Sequence, residues 1–172
     1  MQTHLLLSVS SQDKPGVIES ISSCIQSCNA SWLESRLAHL SGKFVGVIRI
    51  RLDESKSSNL KLSLQKLEEQ GIYVSVEKPK DNNTATETVK TAKFSAIGPD
   101  RTGIVKEIAS AFARKGINIE ELETNLSSMP YSGEPIFEAI GLLSLPADIN
   151  IKQLMDKMDA IANDLGINLD LD

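Results

Sequence analysis

The residues that most often carry chemistry are scarce in this sequence. It holds two cysteines, two histidines and one tryptophan among 172 residues, and aromatics make up 4%. Cys24 and Cys28 stand four apart on a predicted helix, on the face that also carries Ile21 and Ile25. Two thiols without further ligands nearby read as free, buried core cysteines, and no metal or cofactor is expected. His4 and His39 each stand alone in strand-like stretches, with no second His, Cys or Asp at ligand spacing. No Ser-His-Asp set or phosphate-cradling loop is visible, and GPDRTG at 98–103 lacks the lysine of a P-loop. Glu120, Glu121 and Glu123 do not form a catalytic pair, because strand alternation sends Glu120 to the face opposite Glu121 and Glu123. An enzyme is therefore not expected. No apolar run approaches the roughly 20 residues of a membrane span. The opening MQTHLLLSVSSQ has neither a basic leader nor a small-residue cleavage site, so the expectation is a soluble, cytoplasmic protein with no membrane partner.

Positive charge is also in short supply. The net charge is −5, and it is unevenly spread: residues 1–86 carry 10 cations and 9 carboxylates, residues 87–172 carry 8 and 14. An acidic chain without a basic run is a poor binder of phosphate backbones, so no direct contact with nucleic acid is expected.

What the sequence does have is a repeat. SQDKPGVIESI at 11–21 returns as GPDRTGIVKEI at 98–108. Aligning Gly16 with Gly103 also aligns Asp13 with Asp100, Val17 with Ile104, Ile18 with Val105 and Ile21 with Ile108. Further on, Asn29 is matched with Asn118, and Leu33-Glu34-Ser35 with Leu122-Glu123-Thr124, at an offset two residues larger. Two copies of this length mean tandem domains, not a solenoid.

Each copy parses alike. In the first, Thr3–Ser10 reads as a strand and Gly16–Ser27 as a helix whose inner face is Val17, Ile18, Ile21, Cys24, Ile25 and Cys28. Strands at Trp32–Leu40 and Phe44–Leu52 flank a Ser41-Gly42 turn. A helix marked by Leu60, Leu64 and Leu67 ends at Gly71, and residues 72–77 form a last strand. The second copy reads as strand 90–97, helix 103–115, strands 117–127 and 136–145, helix 150–164 with Leu154, Met155, Met158 and Ile161 inward, and a closing INLDL strand. The fold class is α+β: two tandem ferredoxin-like βαββαβ domains, each an antiparallel four-stranded sheet with helices on one face. The expected division is 1–79 and 89–172, with KDNNTATET at 80–88 as a polar linker. The open sheet faces and edges need cover, from the other copy or from a second chain in a homodimer.

The repeated turn is the candidate site. Asp13 and Asp100 are placed to cap the helices that follow, and Pro15 is tolerated at a helix start. Glycine within a helix is unfavourable by roughly 0.5–1 kcal/mol relative to alanine, so the same glycine in both copies suggests a need for no side chain. Close packing or a special backbone angle would explain it. So would a ligand approaching free amides at the positive end of a helix dipole, a natural seat for a carboxylate.

The motif D-x-P-G-V, then SWLESRLAHLSGKFVGVIRI, and its counterpart D-R-T-G-I-V-K-E-I followed by GINIEELETNLSSMPYSGEPIFEA, resemble the ACT-domain family. Over its whole length the chain is similar to double-ACT proteins of the group that holds the glycine cleavage system transcriptional repressors. The resemblance implies a regulatory, non-enzymatic protein that binds an amino-acid effector, with glycine favoured, and that works through a regulatory protein partner such as a transcription activator. It implies ligand contacts from Asp13, Pro15, Gly16 and Val17 with Asn29 and Ser31 in the first copy, and from Asp100, Thr102, Gly103 and Ile104 with Asn118 in the second. In that family the glycine loop of one domain meets the strand start of a facing one. Thr102 departs from the usual proline, and Asn29 is separated from Trp32 by Ala30 and Ser31.

Two further readings deserve comparison. RNA-recognition domains share the βαββαβ order, but they need aromatics for base stacking, and GKFVGVIRI offers only Phe44. A ligand-free interaction module is the other, suggested by the long SSMPYSGEP loop at 127–135, where Met129 and Tyr131 could anchor a partner.

Overall fold

The computed structural model describes residues 1–79, 90–146 and 149–171. The chain divides into two compact units, Met1–Asn82 and Asn83–Asp172. The linker expected over 80–88 lies outside the described residues.

The first unit runs β1 (Gln2–Gln12), α1 (Val17–Ser27), β2 (Ser31–Leu40), β3 (Lys43–Asp53), α2 (Ser57–Gln65) and β4 (Ile72–Glu77). Short 3-10 segments, Glu54–Lys56 and Lys66–Gln70, flank α2. The second unit repeats the order with β5 (Lys90–Pro99), α3 (Ile104–Arg114), β6 (Asn118–Ser128), β7 (Pro135–Leu145), α4 (Ile151–Leu165) and β8 (Asn168–Leu171). Strand orders are β2-β3-β1-β4 and β6-β7-β5-β8, and every pairing is antiparallel. This is the expected ferredoxin-like architecture, twice.

Strand alternation builds the cores. Leu5, Leu7 and Val9 on β1 and Ile48, Ile50 and Leu52 on β3 all point toward the helices, where Val17, Ile21, Ile25, Leu60 and Leu64 meet them. Each such side chain stabilises by about 1.5–3 kcal/mol on leaving water. In the second unit Phe94 and Phe112 meet edge to face at a centroid distance of 5.2 Å. Gly141 lies opposite Phe94 in the β5–β7 ladder, and a Cβ there would stand 2.7 Å from the Phe94 ring and 2.1 Å from the Glu121 carbonyl oxygen. The equivalent first-unit pair is Leu7 opposite Ile48.

Two residues expected inside are not. Ile18 is 51% exposed and Met155 57%, because each follows the inward residue of its helix by one position and is turned about 100° away from it. Cys28 is buried and Cys24 half-buried, both as free thiols.

The repeat register also needs correction. Asn29 (φ 51°) and Gly116 (φ 73°) occupy the same left-handed position after α1 and α3. Ala30 N–H then donates to the Ile25 carbonyl and Ile117 N–H to that of Phe112, so the offset of 87 continues through both turns. Ser31, not Asn29, is therefore the counterpart of Asn118. The bulges agree, lying between Trp32 and Glu34 and between Ile119 and Glu121. The identical Leu-Glu pairs had suggested a two-residue shift, but Asn and Gly at the turn are interchangeable because both tolerate positive φ. The extra length falls later, in the β6–β7 hairpin: Leu5 pairs with Ile50, while its equivalent Ala92 pairs with Leu143.

Candidate functional site

The repeated turn joins the first strand of each unit to its first helix. Asp13 and Asp100 do not cap those helices, contrary to the expectation from sequence. The cap positions are Gly16 and Gly103, at φ 94° and 90°, and no side chain caps either helix. An aspartate three residues before the cap position is too early in the chain to be the capping residue. Each instead fixes the turn to a neighbouring hairpin through its backbone. Asp13 N–H donates to the Gly42 carbonyl at 2.9 Å, and Asp100 N–H donates to that of Pro135 at 3.1 Å.

This geometry separates two of the explanations for the glycines. A Cβ at Gly16 or Gly103 would meet nothing within 4 Å, so close packing does not exclude a side chain. Positive φ does, at about 1–2 kcal/mol for an ordinary L-residue. The space before each glycine is open, and Pro15 and Thr102 beside them are exposed.

The position between Asp and Pro or Thr had carried no meaning in the sequence. It carries one in the structure. Lys14 Nζ donates to the Gln70 carbonyl at 2.6 Å, and Arg101 Nη2 donates to the Leu165 carbonyl at 3.1 Å. Each cation latches the turn to the carboxyl end of the unit's second helical segment, where the backbone dipoles favour positive charge. Arg101 is also paired with Glu107, one turn into α3; Ser20 takes that place in α1. The clue available in the sequence was a cation at the same place in both copies.

Of the remaining candidates, Val17 and Ile104 are 3% exposed and send their side chains into the cores. Any contact from them toward the turn would be by backbone, and the Ile104 N–H already donates to the Arg101 carbonyl. Asn29, Ser31 and Asn118 are exposed, and Asn118 Nδ2 donates to Glu120. They lie beyond the far ends of α1 and α3. Each of these helices has 11 residues and so spans about 16 Å. A single unit therefore does not bring its glycine turn and its strand start together. Asn29 lines a shallow groove of about 530 Å³ with Ser22, Ile25, Gln26, Ala30 and Trp32. On the other side of the first turn, His39 Nε2 stands 3.4 Å from Asp13 Oδ2 and 3.3 Å from the Gly42 N–H. Among the described residues no group of His, Cys, Asp and Glu is placed to hold a metal ion, and no helix is long and apolar enough to cross a membrane.

Comparison with known proteins places this geometry. Residues 3–77 match the ACT-domain family model. No curated protein sequence matches the chain. Two solved structures superimpose along its full length. One is a protein of unknown function from Galdieria sulphuraria, 23% identical with a TM-score of 0.79, and the match covers 100% of this chain and 98% of that one. The other is described as a candidate glycine cleavage system transcriptional repressor, 18% identical with a TM-score of 0.75, covering 100% and 97%. At these identities the likeness is one of fold. The family match covers the first unit, and the second unit repeats the same order of elements, which is a tandem ACT architecture.

Proposed function

We propose that the protein is a non-enzymatic, cytoplasmic regulator that senses a small amino acid at its glycine turns and acts through a protein partner. One observation carries the reading: α1 and α3 both begin at a left-handed glycine with no capping side chain, whereas α4 and the 3-10 segment that leads into α2 each have one. Asn150 and Gln153 form a reciprocal capping box on α4, and Asp53 accepts from Ser55 N–H at the Glu54–Lys56 segment. The helices that begin at Gly16 and Gly103 have no such acceptor, in both copies. First-turn amides without a capping side chain, in front of open space, suit a carboxylate. Asp13 and Asp100, exposed at the start of the same turns, offer carboxylates for an ammonium group. The strand-start contacts of Asn29, Ser31 and Asn118 would have to reach such a ligand from outside the unit that supplies the turn.

The fold likeness to a candidate glycine cleavage repressor makes glycine the first ligand to test and a transcription activator the first partner. The acidic second half supports a protein partner over DNA. Met129 and Tyr131, 42% and 103% exposed in the β6–β7 hairpin, favour a second reading in which the chain binds a partner and no ligand.

Thermal unfolding with each common amino acid decides between them. A ligand at 100 times its dissociation constant raises stability by about 2.7 kcal/mol, a visible shift in melting temperature. Glycine or another small amino acid is expected to give it. Gly16→Asn and Gly103→Asn, which keep a residue tolerant of positive φ, should stay folded and lose the response at the turn that binds. No shift with any amino acid up to millimolar concentration would overturn the sensor reading and leave the interaction module.

A further inference from the structure

We infer that His39 is a positioning residue of the first glycine turn: its proton decides whether the Asp13 carboxylate is open to an ammonium group. On the reading of both turns as amino-acid sites, this is a control that the first turn has and the second lacks. The hairpin turn Ser41-Gly42, at φ 50° and 75°, points the Gly42 N–H back at the His39 imidazole. One ring nitrogen, Nε2, therefore faces a donor, the Gly42 N–H at 3.3 Å, and an acceptor, Asp13 Oδ2 at 3.4 Å. It cannot serve both at once. A neutral imidazole with its proton on Nδ1 accepts from Gly42, whereas an imidazolium is protonated on both nitrogens and turns to Asp13.

The second unit shows the same turn without this device. Asp13 N–H donates to the Gly42 carbonyl and Asp100 N–H to that of Pro135, so Gly42 and Pro135 are counterparts. His39 and Ser11 flank Phe44 on one rung of the first sheet, and Leu126 and Gly98 flank Phe137 on the matching rung of the second. Leu126 thus stands where His39 does, and it is 61% exposed. Leucine neither accepts a hydrogen bond nor carries charge, and proline has no N–H to offer. Both halves of the contact are replaced together, and the Asp100 carboxylate has no imidazole beside it.

The other charged groups around the first turn do not compete for the ring. Lys14 Nζ is drawn to the Gln70 carbonyl, and Lys43, next to Phe44 in β3, alternates to the face of the sheet opposite His39. Glu19, in the first turn of α1, is not paired with it. Imidazole is the side chain that takes up a proton on mild acidification. The imidazolium then occupies Asp13 Oδ2 and sets a positive charge beside the place an ammonium group would take. Both effects lower the affinity of the first turn for an amino acid. The His39 and Asp13 side chains are each about half exposed, so the change is that of a surface ion pair, about two- to fivefold. The second turn keeps its affinity over the same range.

Two measurements on the full chain test this. The first needs no ligand. In a nuclear magnetic resonance titration from about pH 8 to about pH 5.5, the Gly42 amide proton and the Asp13 carboxyl carbon should move with the His39 ring. The Asp100 carboxyl carbon should not follow it, and His4 serves as the reference ring. The second measures glycine, or whichever amino acid stabilises the chain most, against Gly103→Asn, in which the first turn alone is intact. Its affinity should fall about two- to fivefold between about pH 7.5 and about pH 5.5. His39→Gln, an exposed change to an uncharged hydrogen-bonding side chain, should lose that pH dependence. Gly16→Asn, which leaves the second turn, should show none. A Gly42 amide and an Asp13 carboxyl that ignore the ring would overturn the inference. So would first-turn affinity that is flat with pH, pH dependence that survives in His39→Gln, or binding confined to the second turn. If no amino acid binds at either turn, the sensor reading fails, and the exchange of the ring between Gly42 and Asp13 is decided by the first measurement alone.

Discussion

At the scale of single residues, the glycines of the turn and the glycine of the sheet fail for different reasons when substituted. Gly16→Ala and Gly103→Ala meet no neighbour and suffer only the backbone strain, about 1–2 kcal/mol each. Gly141→Ala drives a Cβ into the Glu121 carbonyl and the Phe94 ring and should lower stability by more than either. Chemical denaturation of the three variants checks the order; Gly16→Asn should recover part of the loss at the turn, as Asn29 already adopts positive φ in this chain. The sequence pointed to Gly16 and Gly103 through repetition, but it could not separate strain from packing, since both demand the same residue. Titration gives a second residue-scale prediction. Hydrogen bonds from Ser55 hold the Asp53 carboxyl below its ordinary range, and the Lys78 ammonium does the same for Glu54. Their stabilisation is present above the ordinary carboxylate range and is lost as pH falls through the lowered values. Burial, with the Cys28 thiol beside it, pushes the Cys24 thiol up. That contribution is complete below the ordinary thiol value and is lost as pH rises through the raised one. Unfolding midpoints measured against pH should therefore fall at both ends, and Cys24→Ala should lessen the alkaline fall alone, to which the Lys78 ammonium, raised by its bond to Glu54, still contributes.

At the scale of elements, the latch from the turn to the second helical segment is the feature that pattern reading could not reach. A helix or strand announces itself by periodicity; a hydrogen bond between residues 64 apart, Arg101 and Leu165, leaves no periodic trace. Arg101→Met removes a bond to a carbonyl and a pair with Glu107 and should destabilise by about 1 kcal/mol. Lys14→Met, at an exposed bond, should do less. Hydrogen exchange provides the specific check. In Arg101→Met the amides at the start of α3 and the end of α4 should lose protection together, while those of β5 and β7 keep it. The strands and helices themselves were legible because their apolar periods are clear. The repeat register past α1 was not, because two identical dipeptides outweighed a turn in which Asn and Gly are equivalent.

At the scale of the molecule, each core is built wholly within one unit: the first from residues between Leu5 and Ile72, the second from residues between Phe94 and Ile167. Leu64→Ala, at a fully buried position, should destabilise by about 2–5 kcal/mol. Calorimetry should then show the loss in the transition of the first unit, with the second unit's transition in place; a single transition shifted as a whole would show that the two unfold as one. Tandem copies of one topology carry a hazard during folding, since the first strand of either unit could insert into the sheet of the other. The Phe94–Gly141 pair guards against it. A chain in which β5 took the place of β1 would set a phenylalanine ring opposite Ile48, where the first sheet places the smaller Leu7, and β1 in the second sheet would set Leu7 opposite Gly141, where that sheet places a phenylalanine. The mismatch in side-chain size thus works as a key that lets each strand close only its own sheet, and restoring the symmetry of the two copies would remove the lock.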